Sequence, residues 1–233
     1  MAVSVNTVYQ KVLALANKEQ RGYITPQEFN LFADQAQMDI FEQYFYDLEQ
    51  FQRRTDSTEE LIQDKIAIFK EGPLPIGDVY DLSDFKDVIT GKDNFHKIIQ
   101  ITKSNNNRVA EKIEYEDYDS LQISPLTRAT DTRPVFFIKH NAVYVYPETG
   151  ASSNTISYIR KPKPPNWTYY ISSNNNAIYN ESASDHRDFE LHVSEENSLI
   201  IKILQLAGIT IKDFGLVQAA AQKEAVTIQQ EKQ

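Results

Sequence analysis

The 233-residue chain is long enough for one domain with a sizeable core or for two small ones. Its 41% hydrophobic content, with 13 tyrosines and 12 phenylalanines, excludes a disordered chain, and the lack of cysteine excludes disulfides and thiolate metal sites. The net charge is −9 and no long segment is net basic, which excludes the electrostatic footprint of tight duplex binding. The amino terminus lacks the plan of a signal peptide and no apolar run approaches a bilayer span, so we expect a soluble protein that is not exported and not in a membrane.

Two helices are predicted in the first 54 residues. The first runs over about 6–18, with an inner face of Val8, Val12, Leu15 and Ala16. The second begins at a capping box, Thr25-Pro26-Gln27-Glu28, with proline at the first helical position. Because no glycine or proline then follows until Gly72, we expect this helix to continue to about Arg54.

The apolar residues of the second helix cover a wider arc than a single stripe. Its 3.6-residue spacing predicts that Phe29, Ala36, Ile40 and Leu48 are buried. So wide an aromatic face, continuing to Phe51, needs two neighbours. Two interpretations stay open: complete burial within the chain, or one flank shared with another copy.

A third helix is predicted after a second capping box at 57–60, and Gly72-Pro73-Leu74-Pro75 is expected to end it. Short segments rich in Val, Ile, Tyr and Phe then predict strands. They lie at 79–82, 97–103, 109–118, 135–139, 142–146 and 156–161.

The alternation of residue types along these strands predicts which side chains share a face of the sheet. Val143 and Val145 should face one side of a sheet, and Tyr144 and Tyr146 the other. The alternating residues 113–116 likewise predict a half-buried strand. Farther on, 169–171 and 178–179 flank three asparagines and predict a projecting hairpin.

The carboxyl-terminal part is predicted to be helical again. One helix covers about 194–206 and is closed by Gly208 as a C′ glycine, and a last helix covers about 212–230. The order of helices, strands and helices predicts an α+β fold, in which the terminal helices pack as a bundle around an inserted antiparallel β block, sandwich-like or barrel-like. The expected parts are 1–72, 73–189 and 190–233.

The sequence contains no recognisable catalytic, cofactor or metal motif, so we expect no enzyme and no cofactor. Gly72 and Gly77 have phosphate-loop spacing, but Asp78 occupies the lysine position. His186 and His192, near two aspartates, lack the spacing of paired metal ligands, which favours an exposed or capping role.

Two charged runs admit a structural and a functional interpretation. The acidic cluster of Glu114, Glu116, Asp117 and Asp119 is more typical of a charged strand edge than of a cation site. The basic run 160–165, followed by Trp167, is more typical of a strand end leading into a polyproline connector than of a nucleic-acid contact.

Four segments resemble structural proteins of tailed bacteriophages, particularly marine and crAss-like ones. The opening VNTVYQKVLALANKEQRGYITPQEFNLFADQAQMDIFEQYFYDL resembles the start of these proteins, and FELHVSEENSLIIKILQLAGITIKDFGLVQAAAQKEA resembles their end. RPVFFIKHNAVYVYP, followed by ISYIRKPKPPNW, is similar to the strand block of phage neck proteins.

The resemblance implies a head-to-tail adaptor, or connector ring, below the portal of the virion. It implies a homo-oligomeric ring, commonly of twelve copies, that contacts the portal protein and other neck or tail proteins. It also implies assembly in the host cytoplasm and passage of DNA without sequence-specific binding. A monomeric accessory phage binding module, or an enzyme with dispersed acidic residues, remains the alternative. The polar end of the chain, from Lys212 to Gln233, is expected to reach an adjacent component.

Overall fold

The computed structural model describes residues 2–18, 24–52, 59–86, 94–103, 107–148, 154–173 and 176–210. The helices in these ranges are α1 (Val5–Lys18), α2 (Pro26–Gln52), α3 (Glu59–Ala67), α4 (Tyr115–Ile123) and α5 (Glu196–Thr210). The strands are β1 (Ala2–Val3), β2 (Lys70–Ile76), β3 (Val79–Asp81), β4 (Phe95–Lys103), β5 (Arg108–Val109), β6 (Glu111–Lys112), β7 (Val135–Lys139), β8 (Ala142–Tyr146), β9 (Asn154–Arg160), β10 (Tyr169–Ile171), β11 (Ala177–Tyr179) and β12 (Phe189–His192).

The chain divides into two compact units. A helical unit combines Met1–Ile68 with Pro162–Gln233, and a sheet unit spans Phe69–Lys161. Residues 162–189, which the sequence-based division grouped with the strands, therefore belong to the helical unit.

In the helical unit the two ends of the chain pack together. Helix α2 packs against α3 and α5, and α1 packs against α5. Strand β1 pairs antiparallel with β12, and β10 pairs antiparallel with β11. The predicted packing of the first helices against a carboxyl-terminal helix is confirmed.

The predicted capping box starts α2. Thr25 Oγ1 accepts a hydrogen bond from the backbone nitrogen of Glu28 at 3.3 Å, and the backbone nitrogen of Thr25 donates to Glu28 Oε2 at 3.0 Å. These two bonds satisfy amide groups that have no partner inside the helix. They also lower the pKa of the Glu28 carboxyl below its usual value, the bond from the Thr25 backbone contributing most.

The predicted buried faces are mostly correct. Phe29, Ala36 and Ile40 are at most 3% exposed, as expected, but Leu48 is only half-buried. On α1, Val8, Val12 and Ala16 are buried as predicted, whereas Leu15 is 44% exposed and does not belong to the inner face.

The described residues of the sheet unit form two four-stranded sheets, ordered β2-β9-β4-β5 and β3-β8-β7-β6. All their pairs are antiparallel except β6 with β7. Both sheets contribute to one core, with Ile101 and Ile156 from the first and Phe136, Val143 and Val145 from the second. Such a shared core is the sandwich alternative of the prediction, and neither described sheet closes into a barrel.

Strand β8 confirms the predicted alternation. Val143 and Val145 are at most 1% exposed, whereas Tyr144 and Tyr146 are half-buried on the opposite face. The observed bounds of β7 and β8 coincide with those predicted.

Three local predictions are wrong. The Gly72–Pro75 segment lies within strand β2, which tolerates prolines because it is at a sheet edge. Residues 115–118 begin helix α4 rather than continuing a strand. Gly208 lies inside α5, which continues to Thr210, so it is not the glycine that ends the helix. The start of the third helix at 57–58 and the last helix at 212–230 lie outside the described residues.

Candidate assembly surfaces

Two amide side chains on α2, the buried Gln37 and the half-buried Asn30, hold the proline-rich connector that follows β9. Gln37, fully buried, donates from Nε2 to the backbone oxygen of Lys163 at 2.8 Å and accepts from the backbone nitrogen of Glu190 at 3.0 Å. Asn30, two helical turns earlier, accepts from the backbone nitrogen of Trp167 at 2.9 Å. The basic run therefore continues from a strand end into a docked connector, as the structural interpretation predicted.

Trp167 is the centre of an aromatic group that anchors the next hairpin. Its ring is 4.2 Å from that of Tyr9, which contacts Phe29 of α2 edge-on at 4.8 Å. Tyr169 and Tyr179 stack with the same indole, each with its ring centroid 5.7 Å away. The tryptophan nitrogen donates to Asn6 Oδ1 at 3.1 Å, so both its apolar body and its polar end are accommodated.

The wide apolar face of α2 packs against several elements of its own chain. Helices α3 and α5, strand β12 and the connector all lie against it. Phe29, Ala33 and Phe41 are fully buried by these contacts. The first of the two open interpretations therefore accounts for the inner face, and the width of this face alone does not require a second copy.

The opposite side of α2 retains a smaller apolar surface, which we call the outer row: Leu31, Met38, Phe45 and Tyr46. Leu31 is 72% exposed and Tyr46 is 59% exposed, whereas Met38 and Phe45 are half-buried. Leu31, Met38 and Phe45 are seven residues apart and so lie along one line of the helix. The helix that carries this row is acidic, because Pro26–Gln52 contains six acidic residues and no lysine or arginine.

A second exposed apolar surface is the hairpin formed by β10 and β11, which we call the arm. Its register places Tyr169 opposite Tyr179, Tyr170 opposite Ile178 and Ile171 opposite Ala177. The base of the arm packs on Trp167, but Tyr170 and Ile171 are 53% and 67% exposed. Residues 164–180 contain no charged side chain.

The acidic cluster of the sequence lies at the start of α4. Glu114 is its N-cap residue, and Glu116 and Asp117 occupy the first turn, where carboxylates interact favourably with the helix dipole. Tyr115 and Tyr118 pack on Phe137 of β7, with ring centroids 5.4 and 5.2 Å from it. The cluster therefore stabilises a helix that covers one face of a sheet, and the expected strand edge is wrong.

The histidines have structural roles in this arrangement. His186 Nε2 is 2.7 Å from the hydroxyl of Tyr179, and His192 accepts from the backbone nitrogen of Ser194 at the start of a 3-10 turn. The nearby Asp188 accepts from the backbone nitrogen of Val5 at 2.8 Å, and the same oxygen lies 4.0 Å from His186 Nε2. In the ranges that the structure describes, no group of three or more His, Asp or Glu side chains is placed to hold a metal ion.

The sheet unit buries charged groups that the sequence reasoning did not identify. The carboxylate of Glu71 accepts from the Tyr158 hydroxyl at 2.7 Å and pairs with Arg160 Nε at 2.7 Å. Burial raises the pKa of Tyr158, and the bond to Glu71 raises it further. The rings of Phe85 and Phe95 pack against this tyrosine, with ring centroids 4.2 and 6.2 Å from its own.

A buried lysine lies at the other end of β4 and β9. Lys103 is fully buried, donates to the backbone oxygen of Pro147 at 2.6 Å and is 3.0 Å from Asp131 Oδ1. Opposite it, the buried Asn154 donates to Asp78 Oδ1 at 2.9 Å. Lys103 is two residues after the core residue Ile101, so the alternation of β4 was a signal for its inward position.

The comparisons with known proteins leave the family open, since neither a protein-family model nor a curated protein matches the chain. None of the helices within the described ranges is long and apolar enough to cross a membrane. The terminal segment expected to reach a neighbouring component lies beyond Thr210, outside the described residues.

Proposed function

We propose that this chain is a virion structural protein, a subunit of a head-to-tail adaptor ring in the neck of a tailed bacteriophage. The supporting observation is the position of the two terminal segments that resemble such proteins. Residues 5–48 contribute α1 and most of α2, and residues 189–225 contribute β12 and α5. Although far apart in sequence, these elements pack together in one helical unit, as parts of a common ancestral module would.

The internal segments of the resemblance also form defined elements. Residues 133–147 supply the β7–β8 hairpin, and residues 156–167 supply most of β9 and the connector docked on α2. The resemblance therefore follows elements of secondary structure rather than loops, which favours a shared fold over a chance match of composition.

The charge of the chain suits a channel for DNA. A net charge of −9, with six of the carboxylates on α2 alone, gives a surface to which phosphates bind weakly. A subunit of a conduit benefits from this property, since strong lysine or arginine contacts would slow the passing DNA. We therefore propose that the DNA is surrounded without sequence-specific contacts.

The proposed partners are further copies of the chain, commonly twelve in the family that it resembles, the portal protein, and other neck or tail proteins. We propose no catalytic residue and no cofactor. The proposed location is the neck or tail of the virion, after assembly in the host cytoplasm.

Quantitative mass spectrometry of purified phage particles tests this proposal. We expect the chain to be present in the same copy number as the portal protein, with the major capsid protein as an internal standard. Its absence from particles would contradict the proposal. Recovery from infected cells only, as a monomer, would favour the accessory binding module, and turnover lost on a single carboxylate substitution would favour an enzyme.

A further inference from the structure

Helix α4 covers the outer face of strands β7 and β8 without burying any residue of its own. None of its nine residues is buried, and only Tyr118, Leu121 and Gln122 are half-buried. The apolar residues at its end face solvent, since Ile123 is 83% exposed and Leu126, just beyond the helix, is 91% exposed. The helix is therefore held to the sheet by contacts at its surface.

Two tyrosine rings attach α4 to the sheet. The ring centroids of Tyr115 and Tyr118 lie 5.4 and 5.2 Å from that of Phe137. Tyr118 also lies 4.5 Å from the ring of Tyr146, and Lys139 Nζ lies 3.9 Å from the ring centroid of Tyr115. A helix of nine residues is marginally stable on its own in water, so its helical state depends on these contacts.

The segment that carries α4 is fixed to the sheet at both of its ends. Before the helix, the backbone nitrogen of Ile113 donates to the backbone oxygen of Phe136 at 2.9 Å, beside the pairing of β6 with β7. After it, where the chain enters β7, the backbone oxygen of Pro134 accepts from the backbone nitrogen of Glu111 at 2.9 Å. Residues 114–133 can therefore move while β6, β7 and β8 stay paired.

The surface under α4 consists of three stacked rings, Phe137, Tyr144 and Tyr146, which we call the aromatic strip. The ring of Phe137 is nearly parallel to those of Tyr144 and Tyr146, with interplanar angles of 18° and 20° and centroids 5.3 and 5.7 Å away. Phe137 is only 3% exposed, although it lies on the opposite face of β7 from the core residue Phe136. Its burial therefore depends on the two tyrosines of α4.

We propose that α4 is a lid, which leaves the aromatic strip and returns to it while the rest of the sheet unit stays folded. Segments that open locally are those with few buried contacts, and α4 combines a shallow attachment with a fixed base. The lid controls the exposure of Phe137, which is buried when the helix is docked and open to solvent when it is not. This property belongs to the sheet unit, so it does not depend on the proposed ring.

Hydrogen exchange of the full-length protein tests the lid. The amides of residues 119–123 should exchange about 100-fold faster than those of β8. In Tyr118→Ala, which removes one of the two attaching rings, we expect exchange of α4 to rise about tenfold further, while β4 and β9 keep the parent's rates. Tyr170→Ala, at a tyrosine that is 53% exposed in the helical unit, is the control and should leave α4 unchanged. Equal protection of α4 and β8 in the parent, or an equal loss of protection in α4 and β9 of Tyr118→Ala, overturns the proposal.

Thiol labelling separates undocking of the lid from fraying of the helix, because the chain has no cysteine of its own. Val135→Cys places a thiol on the same face of β7 as Phe137, at a position 2% exposed, and Val143→Cys places one in the core between the sheets, at a position 0% exposed. A thiol reagent should label the first about tenfold faster than the second, and adding Tyr118→Ala should accelerate only the first. Equal labelling of the two thiols, or labelling of Val135→Cys that Tyr118→Ala does not change, overturns the lid.

Discussion

The helical unit and the sheet unit each contain a buried polar side chain that joins distant segments, Gln37 and Tyr158, and these two groups differ in chemistry. In the helical unit the buried Gln37 is a neutral amide that bonds two backbone groups of distant segments. In the sheet unit the buried Tyr158 donates its hydroxyl to the carboxylate of Glu71, so this hydrogen bond joins two ionisable groups. Because only the second bond depends on a protonation state, the contribution of Tyr158 to stability should vary with pH and that of Gln37 should not.

The difference also concerns how the chain is joined. Hydrogen bonds from the amide side chains of Gln37 and Asn30 on α2 reach backbone groups of the carboxyl-terminal half. The helical unit therefore depends on contacts between residues that are more than a hundred positions apart in the sequence. The sheet unit is built from one continuous segment, Phe69–Lys161. Disruption of α2 should therefore affect both termini together.

The largest expected effect is on the apolar core of the helical unit. Ile40→Asp places an unpaired carboxylate at a position that is 3% exposed, and we expect a loss of about 3–5 kcal/mol in the free energy of unfolding. Urea denaturation checks this value. Gln35→Asp, on the exposed side of the same helix, is the control and should change stability by less than about 0.5 kcal/mol. Equal stability of Ile40→Asp and the parent would mean that the buried face of α2 is misassigned.

The next effect concerns the neutral amide. Gln37→Ala removes both hydrogen bonds of a fully buried side chain, which should cost about 2–3 kcal/mol. Because no ionisable side chain is removed, the loss should be the same at pH 6 and at pH 9. Gln35→Ala controls for truncation of a glutamine on α2. A loss that varies strongly with pH would contradict the contrast drawn between Gln37 and Tyr158.

A smaller effect is expected for the charged network of the sheet unit. Tyr158→Phe removes the hydroxyl bonded to Glu71 and should cost about 1–2 kcal/mol near neutral pH. Since the pKa of Tyr158 is raised in the folded protein, its stabilisation is complete below the unfolded tyrosine pKa of about 10 and is lost as pH rises beyond it. The difference between parent and variant should therefore shrink above about pH 10. Tyr144→Phe, on the half-buried face of β8, is the control, and a constant difference up to pH 12 would contradict this account.

The smallest effect is at the start of α2. Glu28→Gln removes the carboxylate that accepts the Thr25 backbone amide, so it should destabilise the helical unit slightly at neutral pH. The pKa of Glu28 is lowered on folding, and this contribution is present above the usual glutamate pKa and is lost as pH falls through the lowered one. Thermal unfolding of parent and variant should thus converge in acid. A difference that persists at pH 2 would exclude the carboxylate as its cause.

Short sequence patterns correctly predicted those features of the fold that depend on a few neighbouring residues. The capping box of Thr25 and Glu28, the bounds of β7 and β8, and the alternation of Val143 with Tyr144 all follow from backbone preferences over a few residues. The α+β class followed from their order along the chain.

The errors came from tertiary context. Pro73 and Pro75 are compatible with β2 only because this strand lies at a sheet edge, which no local signal reveals. In helix α4 the rings of Tyr115 and Tyr118 both pack on Phe137, which lies about twenty residues later in the sequence, so a local pattern does not reveal this contact. Gly208 stays helical inside a packed α5, despite the usual cost of glycine in a helix.

The candidate surfaces could be predicted only in part from the sequence. The aromatic face of α2 was visible in its spacing, but its neighbours were not, since Gln37 bonds residues 126 and 153 positions away. The hairpin of 169–171 and 178–179 was predicted, whereas the exposure of its outer half depends on how Trp167 holds its base.

The mass of the full-length protein in solution tests the central claim, that copies of this acidic chain join into a closed ring. We expect mass photometry to show one oligomer of defined size, alone or with purified portal protein. Because copies with a net charge of −9 repel one another and salt screens this repulsion, the oligomer should persist or gain population as salt is raised. A monomer at every protein and salt concentration, with and without the portal, would contradict the account.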